Sequence, residues 1–141
     1  MRVYLAAPYV MKDEIKARAE GLRLYGIETT SSWLDEPHKP TTQMGELTHE
    51  QHQVYALADV RDVVAADLLI FQTDETKSII RAGRHVEFGI ALALGLTRYY
   101  PILVVGETRE NIFHHMPQVK HFPDWEAVQN ELVDMHLSDV F

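Results

Sequence analysis

Hydrophobic positions along the chain fall into short continuous runs separated by longer amphipathic or polar stretches. Residues 2–7 are a short apolar run with Val, Tyr and Leu, ended by Pro8, and predict a buried strand. Residues 11–25 are charged and helix-favouring; Ile15, Ala19, Leu22 and Leu24 give one apolar stripe and Gly26 ends it. Residues 27–34 are β-branched and aromatic, a second strand, and residues 35–42 contain Pro37 and Pro40, a loop. Thr48 followed by Gln51 resembles a capping box, and the helix it opens runs to Ala66 with Val54, Leu57, Val60, Val63 and Val64 inward. Residues 67–73 are a third, strongly apolar strand. Residues 74–83 read as a polar loop interrupted by Ile79-Ile80, and residues 84–96 as a helix with few charges, ended by Gly95. Residues 101–105 are a fourth strand stopped by Gly106. A short helix over residues 111–116, a fifth strand over 119–122 and a final helix over 125–136, capped by Asp124, complete the pattern.

Alternating strands and helices with continuously apolar strands imply a parallel sheet covered on both faces. Right-handed crossovers make it doubly wound. The expectation is an α/β fold, one domain over residues 1–141, with a five-stranded parallel sheet of flavodoxin-like or Rossmann-like type and helices on both faces. Ligands in such sheets sit outside the carboxyl ends of the strands, at a switch in strand order. Residues 6–11, 33–45, 73–87 and 106–116 are therefore where chemistry is sought.

Composition narrows the options. With 46% hydrophobic residues the chain can build a sizeable core. Thirteen Lys and Arg against 21 Asp and Glu give −8, which argues against a nucleic-acid polymer as partner, since that needs a basic face. One small anionic ligand at a local site remains compatible. The absence of cysteine excludes disulfides, thiolate zinc sites and cysteine nucleophiles. No apolar run approaches the ~20 residues of a membrane span. The start, Met1-Arg2-Val3-Tyr4-Leu5, has no signal-peptide apolar region. A cytoplasmic protein without a membrane partner is the expectation.

Several signatures fail on inspection. Neither G-x-G-x-x-G after the first strand nor G-x-x-x-x-G-K-[ST] is present. His49-Glu50-Gln51-His52 is one residue short of the zinc-helix spacing, with Gln53 where the second His belongs. His85-Val86-Glu87 matches half of a zinc-deaminase signature whose other half needs cysteine. His114 and His115 are adjacent, so their side chains diverge, and a structural role is expected; no metal and no cofactor is assigned.

Carboxylates remain. Asp59, Asp62 and Asp67 fall near the end of the second long helix and the start of the third strand. Glu87 lies in the first turn of a helix otherwise almost uncharged. Burial raises its pKa and the helix N-terminus lowers it, with the net shift left open. A partly buried carboxylate at the carboxyl edge of a sheet is a candidate nucleophile or base. A solvated acid favouring the helix dipole is the plainer alternative. Tyr4, on a strand expected to be central, can donate a hydrogen bond to such a carboxylate or simply fill the core. Asp59, about two turns back on its helix, can face the same site or water.

Four segments occur in a telling order: Val3-Tyr4-Leu5-Ala6-Ala7-Pro8; Asp59 followed by Ala66-Asp67-Leu68-Leu69-Ile70; Arg84-His85-Val86-Glu87-Phe88-Gly89-Ile90-Ala91; and Glu110-Asn111-Ile112-Phe113. Together they resemble the nucleoside 2-deoxyribosyltransferase family, which includes 2'-deoxynucleoside 5'-monophosphate N-hydrolases. The likeness spans residues 1–116. It implies that Glu87 attacks the anomeric carbon of a 2'-deoxyribosyl substrate, forming a covalent deoxyribosyl-enzyme that a second base or water resolves. It implies that Tyr4 orients Glu87, and that Asp59 positions the substrate and helps protonate the departing base. Asn111 would cross to a neighbouring subunit's pocket at the sugar's 5' end, making the protein a homodimer or higher homo-oligomer with shared sites. Ala6, Pro8, Asp74, Arg81, Gly83 and Arg84 are the further candidate substrate contacts.

Departures from the family pattern bear on specificity. Arg81 stands where transferases carry an Asp that contacts the base and hydrolases a Ser, leaving Asp74 as a candidate substitute. Ala7-Pro8-Tyr9 stands where the hydrolases have a Gly-, Ser- and Arg-bearing phosphate loop. Asn111 matches the transferases, whereas Lys77, Arg81 and Arg84 could neutralise a 5'-phosphate. The leading expectation is sugar transfer between bases, with nucleoside and free nucleobase as partners. Hydrolysis of a deoxynucleoside monophosphate is second, and a non-catalytic nucleotide-binding module on the same fold third.

Overall fold

The computed structural model describes residues 1–37, 47–74 and 82–138. Five strands, β1 (Arg2–Ala6), β2 (Glu28–Thr29), β3 (Leu68–Gln72), β4 (Ile102–Val105) and β5 (Val119–Phe122), form one parallel sheet in the order β2-β1-β3-β4-β5. Four α-helices, α1 (Lys12–Arg23), α2 (His49–Ala65), α3 (Gly83–Leu94) and α4 (Trp125–Leu137), cover it. The doubly wound arrangement expected from the alternating pattern is present. Strand order reverses at β1: the chain leaves it for β2 on one side and returns to β3 on the other. The carboxyl ends of β1 and β3 therefore part their loops and open a crevice.

Register explains which side chains face it. Tyr4 pairs with Leu69 and Ala6 with Phe71, so these four lie on one face, where Phe71 meets Phe88 of α3 edge-on at 5.4 Å. Gln72, one residue on, points to the opposite face and accepts a 2.6 Å hydrogen bond from Arg18 of α1. Arg18 also stacks on Trp125 of α4, at 5.0 Å from the ring centre. Helices α2 and α3 thus cover one face, and α1 and α4 the other. The strands are apolar throughout because both faces are buried: β3 and β4 are buried at every position.

Several boundaries differ from the sequence expectation. The second strand shrinks from residues 27–34 to Glu28–Thr29, and Ser32–Asp35 form a 3-10 turn instead. Side chains compete there with the ladder. Ser31 Oγ accepts from the Leu5 amide at 2.7 Å, the Trp33 indole donates to the Leu5 carbonyl at 2.9 Å, and Asp62 accepts from the backbone and hydroxyl of Ser32. The first helix begins at Lys12 after a 3-10 turn over Tyr9–Met11; Ile15 and Leu22 are buried, whereas Leu24 is exposed. Gly26, at φ 77°, reverses the chain after α1 in a conformation that favours glycine.

In α2 the capping box of Thr48 and Gln51 forms as read. Of its five valine and leucine positions expected inward, only Val63 is buried; Val54, Leu57, Val60 and Val64 are exposed. Its polar edge instead turns to the sheet's end, where Asp59 lines the cavity described below and Asp62 bonds Ser32. The short helix near residue 112 is a 3-10 turn, Ile112–His115, capped by the Asn111 side chain, and Asp124 caps α4. Ile79 and Ile80 lie outside the described residues. Among the described residues no helix is long and apolar enough to cross a membrane.

Candidate active site

A cavity of about 510 Å³ opens at the carboxyl end of β1, between the turn that follows β2 and the start of α3, which follows β3, with α2 along its side. Three carboxyl groups line it, each from a different element: Glu36 just after the 3-10 turn that follows β2, Asp59 on α2 and Glu87 on α3. Trp33 and Tyr9 supply an aromatic wall, their rings tilted and 5.6 Å apart.

Tyr4 does not line the cavity. It is fully buried at β1, beneath it, and its hydroxyl donates a hydrogen bond to Glu87 Oε2. Tyr4 thus meets the Glu87 carboxylate from the sheet side. Helix α3 starts one residue earlier than the sequence suggested, at Gly83, so Glu87 lies beyond its first turn. The helix N-terminus therefore has little hold on it. Burial dominates: it pushes the Glu87 carboxyl up to about 8, helped by Asp59, Asp62 and Glu36 and opposed by the Tyr4 hydrogen bond. Tyr4 in turn is pushed well above its ordinary value, by burial first and then by Glu87 and Asp59.

Asp59 is half-buried, and its Oδ1 is buried without a hydrogen-bond partner. Burial, then the neighbouring Asp62, raises its pKa to about 6. Glu36 is raised to about 7, by burial and then by Asp59, against the pull of Lys12. Three acids this close cannot all be ionised near neutrality without mutual repulsion. The cluster therefore holds protons at neutral pH, and one of its members can release a proton while another attacks.

The remaining candidates separate into groups. Gly83 and Arg84 line the cavity. Ala6 and Pro8 are buried, and Ala7 and Tyr9 face the space instead. Asp74 is buried at the end of β3, where its amide donates to Glu110 at 2.6 Å. Arg84 is committed: its guanidinium pairs with Glu110 at 2.7 Å and lies over the Phe71 ring. Its charge is thus largely neutralised within the protein. Arg81 and Lys77 lie outside the described residues.

Asn111 faces a separate depression with His85, Phe88, Gly89, Leu92 and Phe113. Its side chain caps the following 3-10 turn at the Phe113 amide, 2.9 Å away, and meets His85 Nδ1 at 3.3 Å. It does not line its own chain's cavity. His114 is fully buried among Phe71, Phe88 and His85, and burial drops its pKa to about 4, which makes it a core residue as read.

Sequence reasoning missed Glu36, the Trp33–Tyr9 wall and the Glu110 hub. The segment containing Glu36 had been marked by its place after a strand, yet nothing in its residue types singled out that acid.

No protein-family model matches the chain, and no curated protein does. Solved structures do. The chain is similar to a 2-deoxyribosyltransferase from Bacillus psychrosaccharolyticus: 23% identity, TM-score 0.66, covering 92% of this chain and 91% of that one. It is also similar to a CMP N-glycosidase from Clostridium botulinum: 21% identity, TM-score 0.54, covering 96% and 99%. At such identity the likeness establishes a shared fold along nearly the whole chain.

Proposed function

We propose that this protein is a member of the nucleoside 2-deoxyribosyltransferase family. It cleaves the N-glycosidic bond of 2'-deoxynucleosides and hands the sugar to another base. The observation that carries this reading is the Tyr4 hydrogen bond to Glu87 at the floor of a cavity sited at the reversal of strand order. Both solved structures named above, by their own descriptions, act at bonds of this kind.

Glu87, ionised, attacks the anomeric carbon; the bond to the base breaks and its electron pair leaves with the base nitrogen. The product is a deoxyribosyl ester of Glu87, the nucleophilic half of retaining glycosidase logic. Tyr4 holds the attacking carboxylate in register and favours its charged form. Asp59, with an oxygen awaiting a partner, positions the substrate and favours protonation of the leaving base. The incoming base then attacks the same carbon and frees Glu87. The acidic lining, with Arg84 spent on Glu110, favours an uncharged nucleoside over a 5'-monophosphate.

Hydrolysis of a nucleoside monophosphate is the second reading, favoured by the likeness to a CMP N-glycosidase. Incubating the protein with a 2'-deoxynucleoside and a second free base separates the two. New nucleoside supports transfer; free sugar or sugar phosphate supports hydrolysis; ligand binding without turnover leaves the non-catalytic module.

Assembly belongs to the same proposal. Val54, Leu57, Val60 and Val64 on α2 and Val86 on α3 are exposed on two helices that pack side by side and border the cavity. Exposed apolar side chains grouped on one side of a helix in this way support an interface there. For Asn111 to act across subunits, a second copy seated there must bring its 111–116 segment to the first copy's site.

A further inference from the structure

Transfer chemistry requires a proton for the departing base. We propose that Glu36 is the acid that supplies it, from the aromatic end of the cavity. This rests on the N-glycosidic reading above.

Position comes first. Glu36 follows β2, whereas Glu87 sits on α3, which follows β3, and β1 lies between those two strands. The two carboxyls therefore enter one cavity from opposite sides of the strand that carries Tyr4. A sugar whose anomeric carbon meets Glu87 extends its base across the cavity toward the β2 side. There Trp33 and Tyr9 offer a face for a planar ring, and Glu36 comes two residues after the turn's buried Leu34. The backbone at Glu36 is fixed at both ends of its peptide: its amide donates to the Trp33 carbonyl at 3.3 Å, and its carbonyl accepts from Lys12 Nζ at 2.5 Å. Lys12 is itself buried and touches Tyr9. The acid is thus mounted on the same rigid unit as the aromatic wall.

Electrostatics point the same way. Around Glu36 stand Asp59 and Asp62 from α2, which favour its protonated form, and Lys12 from α1, which opposes them more weakly than burial. His52 and Tyr55 of α2, Tyr9, Glu87 and Arg84 share the lining, and Asp35 precedes it in the turn. Arg84 is bound to Glu110 and offers Glu36 little charge. A carboxyl raised to about 7 is suited to proton donation near neutrality. Asp59 then helps protonate the base indirectly, by holding the proton on Glu36.

The step balances. As Glu87 bonds to the anomeric carbon, the carbon–nitrogen pair moves into the base, and the Glu36 proton passes to a ring nitrogen or carbonyl oxygen of that base. Glu36 is left ionised. In the second half it takes back a proton from the incoming base as that base bonds to the anomeric carbon and the Glu87 ester breaks.

The test compares Glu36→Gln with the wild type on two substrates, a natural 2'-deoxynucleoside and a 4-nitrophenyl 2-deoxyribofuranoside, whose leaving group needs no proton. The expected result is a ~10²- to 10⁴-fold loss on the nucleoside, near-wild-type cleavage of the nitrophenyl sugar, and loss of the alkaline limb of the pH profile. Glu36→Asp, which keeps an acid, should retain that limb. Equal loss on both substrates, no loss on either, or an alkaline limb that survives in Glu36→Gln overturns the proposal. Wild-type protein inert on both substrates overturns the N-glycosidic reading itself, and this assignment with it.

Discussion

Glu87 is a half-buried acid whose surroundings favour its neutral form, and that has consequences for both activity and stability. The proposed reaction needs it ionised while another acid stays protonated, yet Glu87 at about 8 holds its proton more tightly than Glu36 at about 7 or Asp59 at about 6. The competent protonation state is therefore a minority form, and the apparent values belong to the cluster. A narrow bell-shaped kcat/KM profile centred near neutral to slightly alkaline pH is expected. Tyr4→Phe removes a hydrogen bond that favours the charged form. Its acid limb should move to higher pH, with a roughly 10- to 100-fold loss at neutrality, read from the pH dependence of kcat/KM. Folding stability follows with a definite sign. A carboxyl whose folded pKa lies above its ordinary 4.5 stabilises the fold fully below that value and loses this as pH rises toward about 8. Glu87→Gln stays neutral, so it should melt above the wild type at alkaline pH, by about 5 °C, and match it near pH ~4. Glu87 was legible in the sequence because it is the one acid in a mostly apolar helix. Glu36 was not, because it reaches the cavity only through the packing of its turn against α1 and α2, which spacing along the chain does not encode.

At the scale of elements, the site depends on how α2 and the turn after β2 are fixed together. Asp62 near the end of α2 binds Ser32, and its carbonyl accepts from Thr30 at 2.8 Å, which ties the Trp33–Glu36 segment to the helix bearing Asp59. At the other end of α2 the Thr48 cap satisfies the Gln51 amide. Thr48→Ala should cost about 1 kcal/mol in urea denaturation while leaving the cavity lining unchanged. The capping box and the β3 and β4 strands were legible because local chemistry specifies them. The second strand was misjudged, since its β-branched and aromatic residues favour extended chain while Ser31, Ser32 and Trp33 found side-chain partners elsewhere. The apolar side of α2 was assigned to the core because periodicity reports a face but not what covers it.

For the molecule as a whole, that exposed face sets the expected assembly. Val54, Leu57, Val60 and Val64 line one side of a helix whose other edge carries Asp59. Leu57→Glu would place a charge in the middle of the patch. Light scattering should then report a monomer where the wild type is a dimer or larger, and activity should fall with dissociation if Asn111 completes the neighbouring site. A wild-type monomer at working concentration would remove Asn111 from the mechanism. The doubly wound topology was legible from strand–helix alternation, and with it the place of the crevice; what lies against the exposed side of α2 is not written in the pattern of one chain.

The most direct measurement is capture of the glycosyl ester. A 2'-deoxy-2'-fluoroarabinosyl nucleoside slows breakdown of the intermediate, so the labelled protein can be digested and the adduct mapped by mass spectrometry. The account predicts one fluorinated sugar per chain, carried on Glu87. A label on any other residue, or full turnover by Glu87→Ala, would contradict it.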